Sequence, residues 1–369
     1  MEFEEAKLQV YGSPQRYYQG PGLIESAGEL IRFLGNSCVL VTDTVVEAMI
    51  RPRLQASLDV AGIALGAASF TGELTPAAVD RMADAARMCG PQFVIAAGGG
   101  KGIDAGKAVA HRLALPLVTM PTAASTDSPT SKNYVLYDDN HRMVGVFHLD
   151  RNPDSVIVDT AILAQAPRHL LGFGIGDALA KLFEAQQCAR VQGRNMFGHQ
   201  PTLAALALAQ ACHDTLRTDA EAALSAAGSG IPTPAFERVV EATILLAGLG
   251  FESGGLSVTH ALTRGLPRLP GLGSVPHGHL IAYGLMVQLK LEVDSAATHA
   301  ELYDWLPRLG LPRSLSDLTT EQQTDAQWQE AAQAILAAPH MANFERAVTA
   351  DELIAAMRDT TPRYAKAAE

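Results

Sequence analysis

Short apolar runs alternate with amphipathic stretches over the first 160 residues and then give way to long helical patterns. Cys38–Asp43 is an apolar, β-rich run ending in an acid, and Thr44–Leu54 after it reads as helix. Ile63–Phe70 is a weaker strand signal, followed by a helical pattern at Thr75–Met88 that starts with threonine and proline. Phe93–Ala97 predicts a buried strand, Lys101–Leu113 a helix, and Leu117–Met120 and Ser155–Val158 two further strands. Strands alternating with helices predict a parallel sheet covered on both faces. Past about Pro167 the strand signals stop. Pro201–Ala227 is rich in alanine and leucine, and Pro234–Leu249, His279–Val293 and Gln322–Leu336 carry apolar residues at helical spacing. The pattern therefore predicts an α/β domain over residues 1–162 and an all-helical domain over 163–369, with a cleft between them as the default ligand site. Gly228–Pro234 reads as an inter-helix loop.

Composition narrows the function classes. The 369-residue chain is long enough for two cores, and 48% hydrophobic with 18% charged residues suits a compact enzyme. A net charge of −11 argues against nucleic acid or an anionic membrane as partner. No basic-plus-apolar N-terminal segment and no long apolar run is evident, so a cytoplasmic protein is expected. Cys38, Cys89, Cys188 and Cys212 show neither metal-type nor disulfide-type spacing.

The chemistry starts at Ile95–Lys107, IAAGGGKGIDAGK, where a strand runs through Gly98, Gly99 and Gly100 into a helix. Glycines let an anion approach the backbone, and a helix start presents unpaired N–H groups and a positive dipole end. The segment fits neither common nucleotide fingerprint. Ile103 stands where G-x-G-x-x-G needs its third glycine, and Gly106-Lys107 is followed by Ala108 rather than Ser or Thr. Asp43, ending a strand, could accept from a ribose diol and repel a 2′-phosphate; it could equally cap a helix. Pro121–Ser131, PTAASTDSPTS, is a hydroxyl-rich loop whose one acid, Asp127, could bind a substrate hydroxyl or form an Asx-turn. Asp177, after glycines in FGIGDALAK, reads as the opening residue of a helix and as a metal-capable carboxylate. His260 and His277 each lie beside glycines. Spacings of 83 and 17 residues form no local ligand motif, but one carboxylate and two imidazoles suit zinc with one position left open.

Several segments, taken in order, resemble the glycerol dehydrogenase branch of the iron-containing (group III) alcohol dehydrogenases. They are YGSPQRYYQGPG at Tyr11–Gly22, GGGKGIDAGKAVA at Gly98–Ala110, PTAASTDSPTS, NPDSVIVDT at Asn152–Thr160, GIGDALAKLFEA at Gly174–Ala185 and GFESGGLSVTHAL at Gly250–Leu262. The resemblance implies an N-terminal dinucleotide-binding domain and a helical domain, holding NAD and one divalent metal. Zinc is usual in this branch and iron in several others. Carried over by motif, the metal ligands would be Asp177, His260 and His277. NAD would meet Asp43, Gly98, Gly99, Gly100, Lys101, Thr119, Thr122, Ser131, Asn133 and Tyr137, and the polyol would meet Asp127. The expected reaction is reversible oxidation of a glycerol-like polyol or vicinal diol, with the metal as Lewis acid and the proton leaving through solvent or a histidine such as His279. A homo-oligomer, an octamer in relatives, is implied as well. Three departures surround the expected substrate and cofactor positions: His279 replaces an acid in His277-Gly278-His279, Pro267–Pro276 is proline- and glycine-rich, and Lys132-Asn133 follow Ser131. The same architecture also serves dehydrogenases of 2-hydroxy acids, aldehydes or simple alcohols, and lyases of the dehydroquinate synthase type. Lys181, Arg264 and Arg268 are the few basic residues near the expected ligands that a phosphorylated lyase substrate would need. A non-catalytic nucleotide-binding protein is the third class, against which the ligand set argues.

Overall fold

The structure, a computed structural model, describes residues 8–139 and 143–362. It divides into two compact units. One is Gly12–Leu171 with Ser225–Gly248; the other comprises the described parts of Met1–Tyr11, Gly172–Leu224 and Leu249–Glu369.

The first unit is built on a six-stranded sheet: β1 (Tyr17–Gly20), β2 (Ser37–Asp43), β3 (Ala64–Phe70), β4 (Phe93–Gly98), β5 (Leu117–Pro121) and β8 (Ser155–Asp159). Its order is β1-β8-β5-β4-β2-β3, and every pairing is parallel. Side chains alternate across a strand, so each central strand feeds two cores. In β4, Phe93, Ile95 and Ala97 enter the core on one face. Val94 and Ala96 enter the core on the other. That is why β4 reads as an unbroken apolar run.

Two elements escape the sequence pattern. β1, YYQG, is short and half-buried, and is defined by pairing with β8. β6 (Asn133–Tyr137) and β7 (Met143–His148) form a separate antiparallel pair; β6 alternates buried and half-buried positions, while β7 is half-buried to exposed although its residues are mostly apolar, so no buried run marks it. The helix after β2 runs from Thr44 to Val60, past the expected end at Leu54 and through Pro52.

The units do not follow the single cut expected at residue 162. Ser225–Gly248, expected with the helical domain, belongs with the sheet. Its contacts explain why. Gly228 and Gly230 N–H both donate to the Ala164 carbonyl. Glu237 accepts from Gln19 Nε2 at 2.9 Å and from Thr160 Oγ1 at 2.6 Å. Thr130 Oγ1 donates to the Ile244 carbonyl at 3.0 Å, inside a π-helical turn at Ala242–Leu246. A helical pattern cannot reveal which core a helix joins.

The second unit is helical. Its core includes Val258, Leu262, Tyr283, Val287, Trp328 and Leu353. No single helix among the described residues is long and apolar enough to cross a membrane.

Candidate metal centre and dinucleotide site

Asp43, Gly98–Lys101, Thr119 and Thr122, expected to meet a dinucleotide, lie near or just beyond the C-terminal ends of β2, β4 and β5, whereas Ser131 follows the 3-10 turn Ser128–Thr130 and Asn133 and Tyr137 lie in β6. At β4 the chain turns through Gly98, whose φ of +135° favours glycine, and enters the helix Gly100–Leu113 with no side-chain cap at Gly99. The packing role of the missing fingerprint glycine is taken by others one helical turn apart. A Cβ at Gly102 would stand 2.3 Å from the Ala97 carbonyl oxygen, and one at Gly106 2.1 Å from the Ala96 Cβ. Gly98, Gly102 and Gly106 therefore let the helix lie directly on β4. This four-residue spacing was present in the sequence, beside the fingerprint that failed.

Asp43 caps the following helix: its Oδ1 accepts from Val45 and Val46 N–H, both at 2.9 Å. The cap leaves Oδ2 available. Lys101 is paired with Glu73 at 2.9 Å. Thr122 N–H donates to the Gly98 carbonyl, tying the β5 loop to the glycine turn. The Thr119 hydroxyl is committed to the Pro129 carbonyl at 2.8 Å, so it shapes the loop from within. Asn133 Oδ1 meets His148 Nδ1 at 2.6 Å. The Tyr137 hydroxyl is pushed up to about 12, first by burial and then by Asp104 and Glu73.

Lys107 organises this loop, a role the sequence reading missed. It is fully buried. Its Nζ donates to the carbonyls of Ser128 and Asn133, each at 2.6 Å, and to Ser131 Oγ at 3.3 Å. Asp104, one turn earlier, accepts from Ser128 Oγ at 2.8 Å and from Val135 N–H at 3.0 Å. Burial raises the Asp104 carboxyl pKa, with Lys107 pulling against it. The same strut fixes Asp127, which is buried and precedes the short 3-10 turn Ser128–Thr130.

In the second unit, Asp177, His260 and His277 come together despite their separation in the chain. Among the described residues they form the one group of three or more such side chains able to share an ion, with all donor atoms within 4.8 Å of one another. Asp177 does not open a helix as its sequence context suggested. It lies within Arg168–Leu179, two residues from its end. The neighbouring glycines serve packing instead. A Cβ at Gly176 would meet the Gly278 carbonyl oxygen at 2.4 Å, and one at Gly278 would meet the Phe173 carbonyl oxygen at 1.9 Å. Backbone-to-backbone approach brings Asp177 beside His277, the first residue of the helix His277–Leu291.

Asp177 Oδ1 lies 3.4 Å from His260 Nε2 and 3.5 Å from His277 Nε2. Donors about 2.0–2.1 Å from a tetrahedral ion stand roughly 3.3–3.4 Å apart, so these residues fit a single divalent metal. Glu184, also unrecognised in the sequence, orients His260. Its Oε2 is 2.5 Å from His260 Nδ1, while Oε1 accepts from Ser257 N–H at 2.8 Å and His260 N–H at 3.0 Å. This carboxylate–imidazole arrangement commonly lies behind a metal ligand. Its signal was the seven-residue step from Asp177, two turns along the chain. Lys181 Nζ is 2.7 Å from Asp177 Oδ1 and 3.1 Å from His260 Nε2. Burial alone would raise the Asp177 carboxyl pKa; Lys181 first, and then the neighbouring His260 and His277 rings, hold it well below the usual carboxylate range. Glu184 is likewise lowered against its burial, chiefly by His260. The His279 ring packs edge-on against Phe173, with ring centroids 4.8 Å apart.

The chain is similar to known proteins in both sequence and structure. Residues 14–160 match the family described as iron-containing alcohol dehydrogenase. A glycerol dehydrogenase of Pseudomonas putida is 40% identical over 83% of this chain and 84% of its own length. A glycolaldehyde reductase of Halobacterium salinarum is 38% identical over 86% of this chain and 87% of its own. The crystal structure of glycerol dehydrogenase from Schizosaccharomyces pombe superposes with a TM-score of 0.91 at 30% identity, covering 96% of this chain and 91% of that one. With its parallel sheet and helical second unit, its glycine turn and its histidine–aspartate cluster, this chain belongs to the iron-containing alcohol dehydrogenase family and is an oxidoreductase.

Proposed function

We propose that this enzyme interconverts glycerol, or a related vicinal diol, and the corresponding hydroxyketone, using NAD and one divalent ion, with zinc favoured over iron. The observation that carries this reading is the convergence of Asp177, His260 and His277, with Asp177 Oδ1 3.4 Å from His260 Nε2 and 3.5 Å from His277 Nε2 and all donor atoms within 4.8 Å of one another. When bound, the ion supplies Lewis acidity that favours loss of the substrate hydroxyl proton, and NAD+ accepts the hydride.

The chain's own residues bind and orient. Asp177, His260 and His277 hold the ion, and Glu184 fixes the His260 ring so that Nε2 faces it. Gly98, Gly99 and Gly100 give the pyrophosphate a side-chain-free approach to the helix start. Asp43 Oδ2 accepts from the ribose diol. Lys101, Thr122, Ser131, Asn133 and Tyr137 would complete the cofactor contacts, and Thr119 shapes the loop after β5 through Pro129. Asp127 accepts from the hydroxyl next to the reacting one. The glycolaldehyde reductase relative fits the same reaction run as reduction, because a hydroxyaldehyde yields a vicinal diol. A homo-oligomeric, cytoplasmic enzyme completes the reading.

The test is NADH formation with glycerol and 1,2-propanediol, before and after stripping the metal and re-adding zinc or iron(II). Activity should vanish on stripping and return with zinc. Full activity in stripped protein would remove the metal from the proposal, and failure of both diols would remove the substrate class.

A further inference from the structure

Lys181 is an unusual neighbour for a cation site. Its side chain is 2% exposed, and it lies one helical turn beyond Asp177. Its Nζ approaches the two donor atoms the ion would use, Asp177 Oδ1 at 2.7 Å and His260 Nε2 at 3.1 Å. It also sits 4.9 Å from the centre of the Phe251 ring.

The two demands on His260 exclude each other. Nδ1 faces the Glu184 carboxylate, which accepts, so Nδ1 carries the ring proton and Nε2 offers one lone pair. A lysine ammonium only donates. The Nε2 lone pair that takes a hydrogen bond from Lys181 cannot also bind a metal. Asp177 is nearly fully buried and needs a positive partner in either state.

We propose that Lys181 is a tethered counter-cation of this centre. Its ammonium holds Asp177 and His260 when no ion is bound, and a divalent ion must displace it to load. The inference rests on the metal reading above. Once displaced, the ammonium either leaves a buried position or stays as a like charge beside the ion, and both consequences weaken metal binding. Lys181 thus lowers the affinity of the centre while preserving its shape without metal.

The test compares wild-type protein with Lys181→Met and Lys181→Arg, measuring zinc affinity by competition with a chromophoric chelator and the melting temperature with and without zinc. Lys181→Met should tighten zinc binding by about tenfold or more, because a competing cation is gone. The same variant should melt lower than wild type without zinc and gain more on zinc addition. Lys181→Arg, which keeps the charge, should bind zinc no more tightly than wild type. Should Lys181→Met fold only with zinc present, its affinity is read from the zinc-loaded protein by chelator extraction. Unchanged or weaker zinc binding in Lys181→Met would overturn the counter-cation role. A parallel His260→Ala variant separates the two ideas. If it binds zinc as tightly as wild type, the metal reading itself falls. If it loses zinc while Lys181→Met matches wild type, only the role of Lys181 falls.

Discussion

Gly278 meets Phe173 backbone to backbone: a Cβ at 278 would lie 1.9 Å from the Phe173 carbonyl oxygen. Neither partner in that contact is a flexible side-chain end, so the helices would have to separate. Asp177 is carried by one helix and His277 by the other, and their donor atoms are 3.5 Å apart. Gly278→Ala should therefore cost about 1–3 kcal/mol of stability, the usual range for overpacking, and widen the metal site. Chemical denaturation combined with metal analysis of the purified variant checks this. Wild-type stability with full metal content would show that the helices can part without disturbing the centre.

The hydrogen bonds of Glu184 lead to a second prediction. One oxygen serves two backbone N–H groups and the other serves His260 Nδ1. A glutamine there has one accepting oxygen, so either the backbone pair or the imidazole faces an amide N–H instead. Glu184→Gln should weaken metal affinity by roughly 10–100-fold, the usual loss when such a supporting carboxylate is changed. Zinc titration of the stripped variant gives the value. An affinity equal to wild type would mean that His260 is held by packing alone.

Lys107 makes a third case, within the sheet unit. Removing its ammonium takes a donor from the Asn133 carbonyl and from the Ser128 carbonyl, the latter keeping only the longer bonds from Ser131. An unsatisfied buried polar group costs roughly 1–3 kcal/mol. Lys107→Met should lose at least that much stability and raise the KM for NAD more than it lowers kcat, because the loop it anchors carries Ser131 and Asn133. Equal effects on kcat and KM would place its influence elsewhere.

The glycine turn was legible because a strand, three glycines and a helix are contiguous in the chain. The ligand set was readable only through resemblance, since spacings of 83 and 17 residues encode no local geometry. Glu184 and Lys181 stayed hidden for another reason. Each looks like an ordinary charged residue on a helix, and only the fold shows that Lys181 is 2% and Glu184 0% exposed. The glycines near Asp177 were misread as a helix start because glycine disfavours helix. At Gly176 that preference is overridden by close approach to Gly278. The membership of Ser225–Gly248 in the sheet unit depends on partners such as Gln19 and Thr130, more than 100 residues away in the chain.

A fourth prediction concerns Asp43 and cofactor choice. One oxygen caps the helix after β2, and the other is available to a ribose. A carboxylate there would accept from a free diol and repel a 2′-phosphate, so NAD should be preferred over NADP. Asp43→Gly should narrow the ratio of kcat/KM between the two cofactors. Glycine is the chosen replacement because it costs a helix N-terminus only a few tenths of a kcal/mol relative to aspartate. Equal use of both cofactors by the unmodified enzyme would remove Asp43 from the specificity argument.

A last prediction concerns Asp127 and substrate class. It is 7% exposed, and its loop is braced by Lys107 and by the bonds of Thr130 to the Asp127 and Ile244 carbonyls. A hydrogen bond from a second substrate hydroxyl to a buried, fixed carboxylate should separate diols from simple alcohols. A monohydric alcohol cannot make that bond, at a cost on the order of 1–3 kcal/mol. At about 1.4 kcal/mol per decade, vicinal diols should exceed monohydric alcohols of similar size by roughly ten- to a hundredfold in kcat/KM. Asp127→Ala should erase most of that gap by slowing diols, leaving simple alcohols nearly unchanged. Steady-state rates with glycerol, 1,2-propanediol, 2-propanol and a 2-hydroxy acid decide the matter. If 2-propanol or the hydroxy acid matches the diols in the unmodified enzyme, the enzyme is still a dehydrogenase, but Asp127 does not select for a second hydroxyl.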